Sequence, residues 1–169
     1  MNPSATNLWH RLGLEQSWAV DTVALDTALR EAGLRWHPDR FALATDAERA
    51  TAEDAMSAIN EAWRTLRDPF LRAQALLKEL GAPMQDGTDK NADPMFLMEM
   101  MELKEEAFDA EASGDSSRIR QLDAKFAARE FEELNAFGDA YLAKEAPADL
   151  RDRLQRTAYL RRTRKQLNP

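Results

Sequence analysis

The sequence predicts an all-α protein, on three observations. Ala, Leu, Glu and Arg, all strong helix formers, recur along the 169 residues, whereas β-branched residues are scarce. Only six glycines interrupt the chain. Apolar residues also return at three- and four-residue spacing, in stretches bounded by caps and prolines. With 44% hydrophobic residues there is enough apolar material for real cores.

The elements follow in order. Asn7 to Leu14 reads as a short helix with Leu8, Trp9 and Leu12 on one side, stopped near Gly13. Asp21 is the N-cap of a second helix whose inward residues are Leu25, Ala28, Leu29, Ala32 and Trp36. Pro38 ends it, because the residue before a proline disfavours the α region. After a loop over 37–44, Thr45 and Glu48 form a capping box. The third helix runs to about Leu66 and buries Ala52, Ala55, Met56, Ile59, Ala62, Trp63 and Leu66. Pro69 opens a fourth, with Phe70, Ala73, Leu76, Leu77 and Leu80 inward and a stop at Gly81.

Residues 82–93 are proline-, glycine- and polar-rich without apolar period, and read as a linker between domains at 1–81 and 94–169. Three helices follow it. The first spans Pro94 to Ala112. The second spans Ser116 to Lys144 and buries Ile119, Leu122, Phe126, Leu134, Phe137 and Tyr141. The third opens at Pro147 and buries Leu150, Leu154 and Ala158. Joined by short turns, they predict a three-helix bundle.

Composition also excludes functions. Without cysteine the chain has no disulfides, thiolate metal sites or cysteine nucleophiles. His10 and His37 do not sit at metal-ligand spacing, and no cofactor is expected. A net charge of −7 argues against binding nucleic acid through phosphate neutralisation. The basic run Arg161-Arg162-Thr163-Arg164-Lys165 reads as favourable charge at a helix C-terminus. No signal peptide, transit peptide or membrane span is visible, which predicts a soluble cytoplasmic protein.

The chemistry concentrates in two places. His37-Pro38-Asp39 lies at the tip of a helical hairpin, after Trp36 and before Arg40-Phe41, and is followed on the third helix by Ile59-Asn60-Glu61-Ala62-Trp63 and Leu66-Arg67-Asp68-Pro69. The second is the helix from Pro94. At ~100° per residue, Phe96, Met100, Leu103 and Ala107 share one sector, while Leu97, Met98, Met101 and Glu105 lie away from it. A helix apolar on both faces is buried all round or offers one face to a partner. A three-helix bundle has no layer to bury it all round, and methionines suit an adaptable protein contact.

These motifs resemble the J domain, whose signature is His-Pro-Asp between two helices with an Asn-x-Ala-(aromatic)-x-x-Leu run beyond; here that run is Asn60, Ala62, Trp63 and Leu66. Phe96 to Glu106 resembles the scaffold-holding helix of HscB-type J-domain co-chaperones. Together the matches span nearly the whole chain. The resemblance implies that His37, Pro38 and Asp39, with the basic Arg30, Arg35 and Arg40, engage a DnaK-like ATPase chaperone of the HscA type and stimulate its ATP hydrolysis. It further implies that Leu97, Met98, Met101, Glu102, Glu105 and Tyr159 hold an iron–sulfur scaffold of the IscU type. The chain itself would not be an enzyme, and would bind neither nucleic acid nor membrane. Arg30, Arg35 and Arg40 are interleaved with Asp26 and Glu31, a less basic face than in general-purpose J proteins, which fits a dedicated partner.

Other readings stay open at this point. The J domain could target a different client complex. His37 and Asp39 could be an acid–base pair, which would need a pocket, or His37 could simply close a turn. Leu97 and Met101 could pack against the J domain.

Overall fold

A computed structural model describes Pro3, residues 7–84 and residues 93–167. Its regular secondary structure among these residues is entirely helical, and the chain divides into two compact units, 1–79 and 80–169. Most of the expected 82–93 linker lies outside the described residues.

The first unit holds α1 (Leu8–Arg11), α2 (Thr22–Trp36), α3 (Asp46–Arg67) and α4 (Pro69–Glu79), with a 3-10 turn at Pro38–Phe41. The starts are set locally. Asn7 accepts from the amides of Trp9 and His10, Asp21 from that of Val23, and Asp68 from those of Phe70 and Leu71. Helix α3 is the axis, touched by α1, α2, α4 and the 3-10 turn. Its buried stripe, Ala52, Ala55, Ile59, Ala62 and Leu66, is mostly alanine, as are Ala28 and Ala32 on α2, so the two backbones approach closely. Asp26 then ties the start of α2 to the end of α3, accepting from Trp63 Nε1 at 2.9 Å and from Arg67 at 2.6 Å. Arg67 also lies over the Trp63 ring, 4.9 Å from its centroid. Arg11 bridges α1 to Glu61 of α3 at 2.7 Å. Arg72 is buried, donating to the Leu66 carbonyl at 2.7 Å and resting on Trp18. Burial lowers its pKa and Asp68 opposes that shift.

The second unit holds α5 (Pro94–Ala112), α6 (Ser116–Leu142) and α7 (Pro147–Leu167). Helix α6 contacts both neighbours. Phe96, Met100, Ala107 and Ala110 of α5 meet Leu122 and Phe126 of α6 and Leu160 and Leu167 of α7 in one buried cluster. Ion pairs reinforce it: Glu106 with Arg118 at 2.5 Å, Glu99 with Arg129 at 3.6 Å, and the buried Glu133 with Arg156 at 3.2 Å.

Four sequence expectations need correction. Helix α1 ends at Arg11, one turn early, where the chain turns through a left-handed Gly13. Leu80 is exposed, because α4 stops at Glu79. On α7 the buried stripe runs through Leu150, Leu154, Thr157 and Leu160, leaving Ala158 only half-buried. The basic run near residue 164 does more than complement a helix end. Arg164 grips Asp123 of α6 with two contacts, at 2.7 and 3.2 Å, and Arg161 reaches Glu130 at 3.4 Å.

Helices α5 and α6 end in the same left-handed motif, in which the residue two past the helix turns the chain and two amides fold back onto free carbonyls. At α5 that residue is Gly114, with φ 67°. At α6 it is Lys144, with φ 58°, where a side chain costs energy that glycine avoids. Lys144→Gly is therefore expected to stabilise the protein by roughly 0.5–1 kcal/mol, and Gly114→Ala to destabilise it by about as much. Urea melts check both; a loss on Lys144→Gly contradicts the assignment.

Candidate functional site

His37 has φ −62° and ψ 133°, the extended conformation that Pro38 imposes on the residue before it. Its Nδ1 accepts the amide N–H of Asp39 at 3.3 Å. The same nitrogen lies 3.5 Å from an Asp39 carboxylate oxygen, a contact that would need a proton on Nδ1. One nitrogen cannot accept and donate at once, and the shorter, directional contact from the amide decides for acceptance. A neutral imidazole that accepts at Nδ1 carries its proton on Nε2. Both side chains are open to solvent, 58% and 89% exposed.

The tripeptide is held from its flanks. Trp36 and Phe41 stack with ring centroids 6.3 Å apart and planes 7° from parallel, closing the turn behind it. Arg40 donates to the Leu34 carbonyl at 2.5 Å, satisfying a free acceptor at the end of α2. Of the three arginines proposed to face a chaperone, Arg40 thus also secures the loop. Arg30 and Arg35 are exposed, but five positions along a helix put them about 140° apart, so they do not form one stripe. Asp26, which seemed to neutralise this face, is committed to Trp63 and Arg67 on α3.

Beyond the loop, the capping box forms as expected. The Thr45 amide and hydroxyl donate to Glu48 at 2.9 and 2.7 Å, and the Glu48 amide returns to the hydroxyl at 3.3 Å.

On α5 the two faces separate. Phe96, Met100 and Ala107 enter the core, while Leu97, Met98 and Met101 are 37%, 59% and 69% exposed. Glu102 and Glu105 are exposed beside them, in contrast to Glu99 and Glu106, which pair with α6. Tyr159 of α7 is half-buried, edge-on to Phe96 at 5.9 Å, with the Lys104 ammonium 4.7 Å above its ring. Tyr159 therefore sits against α5 and is part of its support. One residue that sequence reading passed over is Phe108, also exposed; its spacing of seven from Met101 was the available signal.

Among the described residues no cluster of three His, Asp or Glu could hold a metal, and no helix is long and apolar enough to cross a membrane.

Residues 92–168 match the family model described as the HscB C-terminal oligomerisation domain. A co-chaperone protein HscB homolog from Ralstonia nicotianae is 39% identical over 122 residues, covering 72% of this chain and 69% of the relative. The chain belongs to the HscB co-chaperone family. Two solved structures agree in fold. Chaperone HscB from Vibrio cholerae has a TM-score of 0.80 and 30% identity, covering 96% of this chain and 95% of the other. Human co-chaperone HscB superimposes with a TM-score of 0.88 over 97% of this chain and 81% of the human one, at 22% identity. With the HscB family come the J domain and the helical C-terminal domain as the two parts of the fold.

The capping box at the far end of the HscB loop carries a pH dependence. Hydrogen bonds from the Thr45 hydroxyl, and next the Thr45 amide, hold the Glu48 carboxyl below its ordinary value, against an opposing effect of burial. A lowered carboxyl contributes stability that is complete above the unfolded pKa, about 4.3 for glutamate, and is lost as pH falls through the folded value. The hydrogen-exchange protection factor at the first turn of α3, taken relative to the intrinsic exchange rate at each pH, is expected to fall with acid in the wild type. Glu48→Gln should flatten that dependence; an unchanged acid profile would contradict the assignment.

Proposed function

We propose that this co-chaperone delivers an iron–sulfur scaffold protein of the IscU type to a dedicated DnaK-like chaperone of the HscA type. His37-Pro38-Asp39 stimulates ATP hydrolysis by that chaperone, with Arg30, Arg35 and Arg40 steering the approach. Leu97, Met98, Met101, Glu102, Glu105 and Tyr159 hold the scaffold. The chain catalyses no reaction of its own, and the cluster chemistry belongs to its partners.

The observation that carries this reading is the exposed apolar face of α5 on a helix whose opposite face is already in the core. A contiguous exposed apolar face rimmed by charge marks a surface for contact with another protein. The tripeptide supports the other half. An imidazole N–H and a carboxylate standing in water suit docking, whereas acid–base catalysis needs groups shielded in a pocket. Two docking surfaces on one chain raise the local concentration of scaffold at the chaperone.

His37→Gln is expected to abolish stimulation of the chaperone ATPase in a steady-state assay while leaving scaffold binding intact. Leu97→Ser with Met101→Ser should do the reverse, weakening scaffold binding by roughly ten- to a hundredfold in calorimetry. Full stimulation by His37→Gln would refute the loop's role. Unchanged scaffold affinity in the double variant would instead point to a different client.

A further inference from the structure

Of the large hydrophobic side chains exposed among the described residues, five belong to α5: Met95, Leu97, Met98, Met101 and Phe108. Phe108 is 70% exposed and lies three residues past Glu105, the last α5 residue assigned above to the scaffold. Leu97, Met101, Lys104 and Phe108 follow one another at four, three and four residues, the spacing of a single helix face. The one charged member of that line is folded aside, its ammonium over the Tyr159 ring. At 1.5 Å per residue the stripe runs about 16 Å along the helix.

We infer that Phe108 is a further anchor for the scaffold, which docks along three turns of α5 from Leu97 to Phe108 and meets this end with an apolar patch edged by basic groups. The inference rests on the function proposed above. Continuity selects the occupant: Phe108 shares its sector with Leu97 and Met101, so a partner covering those two lies over Phe108 as well. Charge selects the chemistry. Glu105, Asp109 and Glu111 are exposed around Phe108, and Lys104, the nearest cation on α5, is turned onto Tyr159. An acidic rim around an aromatic anchor favours a basic partner surface and disfavours a second copy of this acidic chain.

The test is calorimetric titration of the full chain with an IscU-type scaffold protein, comparing wild type, Phe108→Ser, Phe108→Leu and Leu97→Ser/Met101→Ser. Phe108→Ser is expected to weaken binding about five- to thirtyfold, with most of the loss restored by Phe108→Leu. Helix content by circular dichroism and the thermal melt should match wild type, which reports that the three-helix unit carrying Phe108 is folded. If Leu97→Ser/Met101→Ser weakens binding while Phe108→Ser does not, the inference falls and the proposed function stands. If neither weakens binding, both fall. If Phe108→Ser alters only self-association in sedimentation, Phe108 serves a homotypic contact and the inference is overturned.

Discussion

A helix that presents apolar side chains to a partner has only half its circumference left to hold it in its own fold. In the function proposed above, helix α5 works under that constraint. Its inner face is dense, with Phe96, Met100, Ala107 and Ala110 in one cluster with α6 and α7. The acids at its flank, Glu99 and Glu106, are spent on Arg129, Arg118 and Lys125 of α6. With its anchorage confined to one side, the methionine-rich face stays outward. Tyr159 and Lys104 mark the seam between the two sides, one packed on Phe96 and the other folded over it.

The same constraint shapes the loop. A tripeptide that must stand in water cannot be ordered by burying it, so order is supplied from its neighbours. Pro38 fixes the backbone, Trp36 and Phe41 close the turn, Arg40 ties it to the end of α2, and the capping box fixes the start of α3. Pre-ordering lowers the entropy lost on docking without adding a contact to the partner. Both surfaces therefore gain part of their definition from residues outside the proposed contacts, Trp36, Phe41 and Thr45 at the loop and Phe96 and Met100 under α5.

Features set within a few residues were legible in the sequence. The caps at Asp21 and Thr45, the prolines opening α4, α5 and α7, and the two faces of α5 all depend on neighbours a turn or two away. What depended on distant partners was not. Asp26 reads as one charge on a mixed face until Trp63 and Arg67 arrive from α3. Arg164 reads as a helix-end charge until Asp123, 41 residues earlier, takes it in a two-point grip. Leu80 and Ala158 have the right spacing for burial, but spacing does not say where a helix stops or which sector its neighbours fill. Lys144 is a different case, because nothing in its identity signals the left-handed conformation that the α6 terminus gives it.

The central claim is that one chain joins scaffold and chaperone. The most direct measurement mixes two defective proteins, His37→Gln and Leu97→Ser/Met101→Ser, and follows scaffold-dependent ATP hydrolysis by the chaperone. One variant keeps the scaffold surface and the other keeps the loop. If delivery requires both on the same chain, the mixture will do no better than the Leu97→Ser/Met101→Ser protein alone. Recovery to the wild-type rate would show that the two surfaces act independently, and would contradict the account.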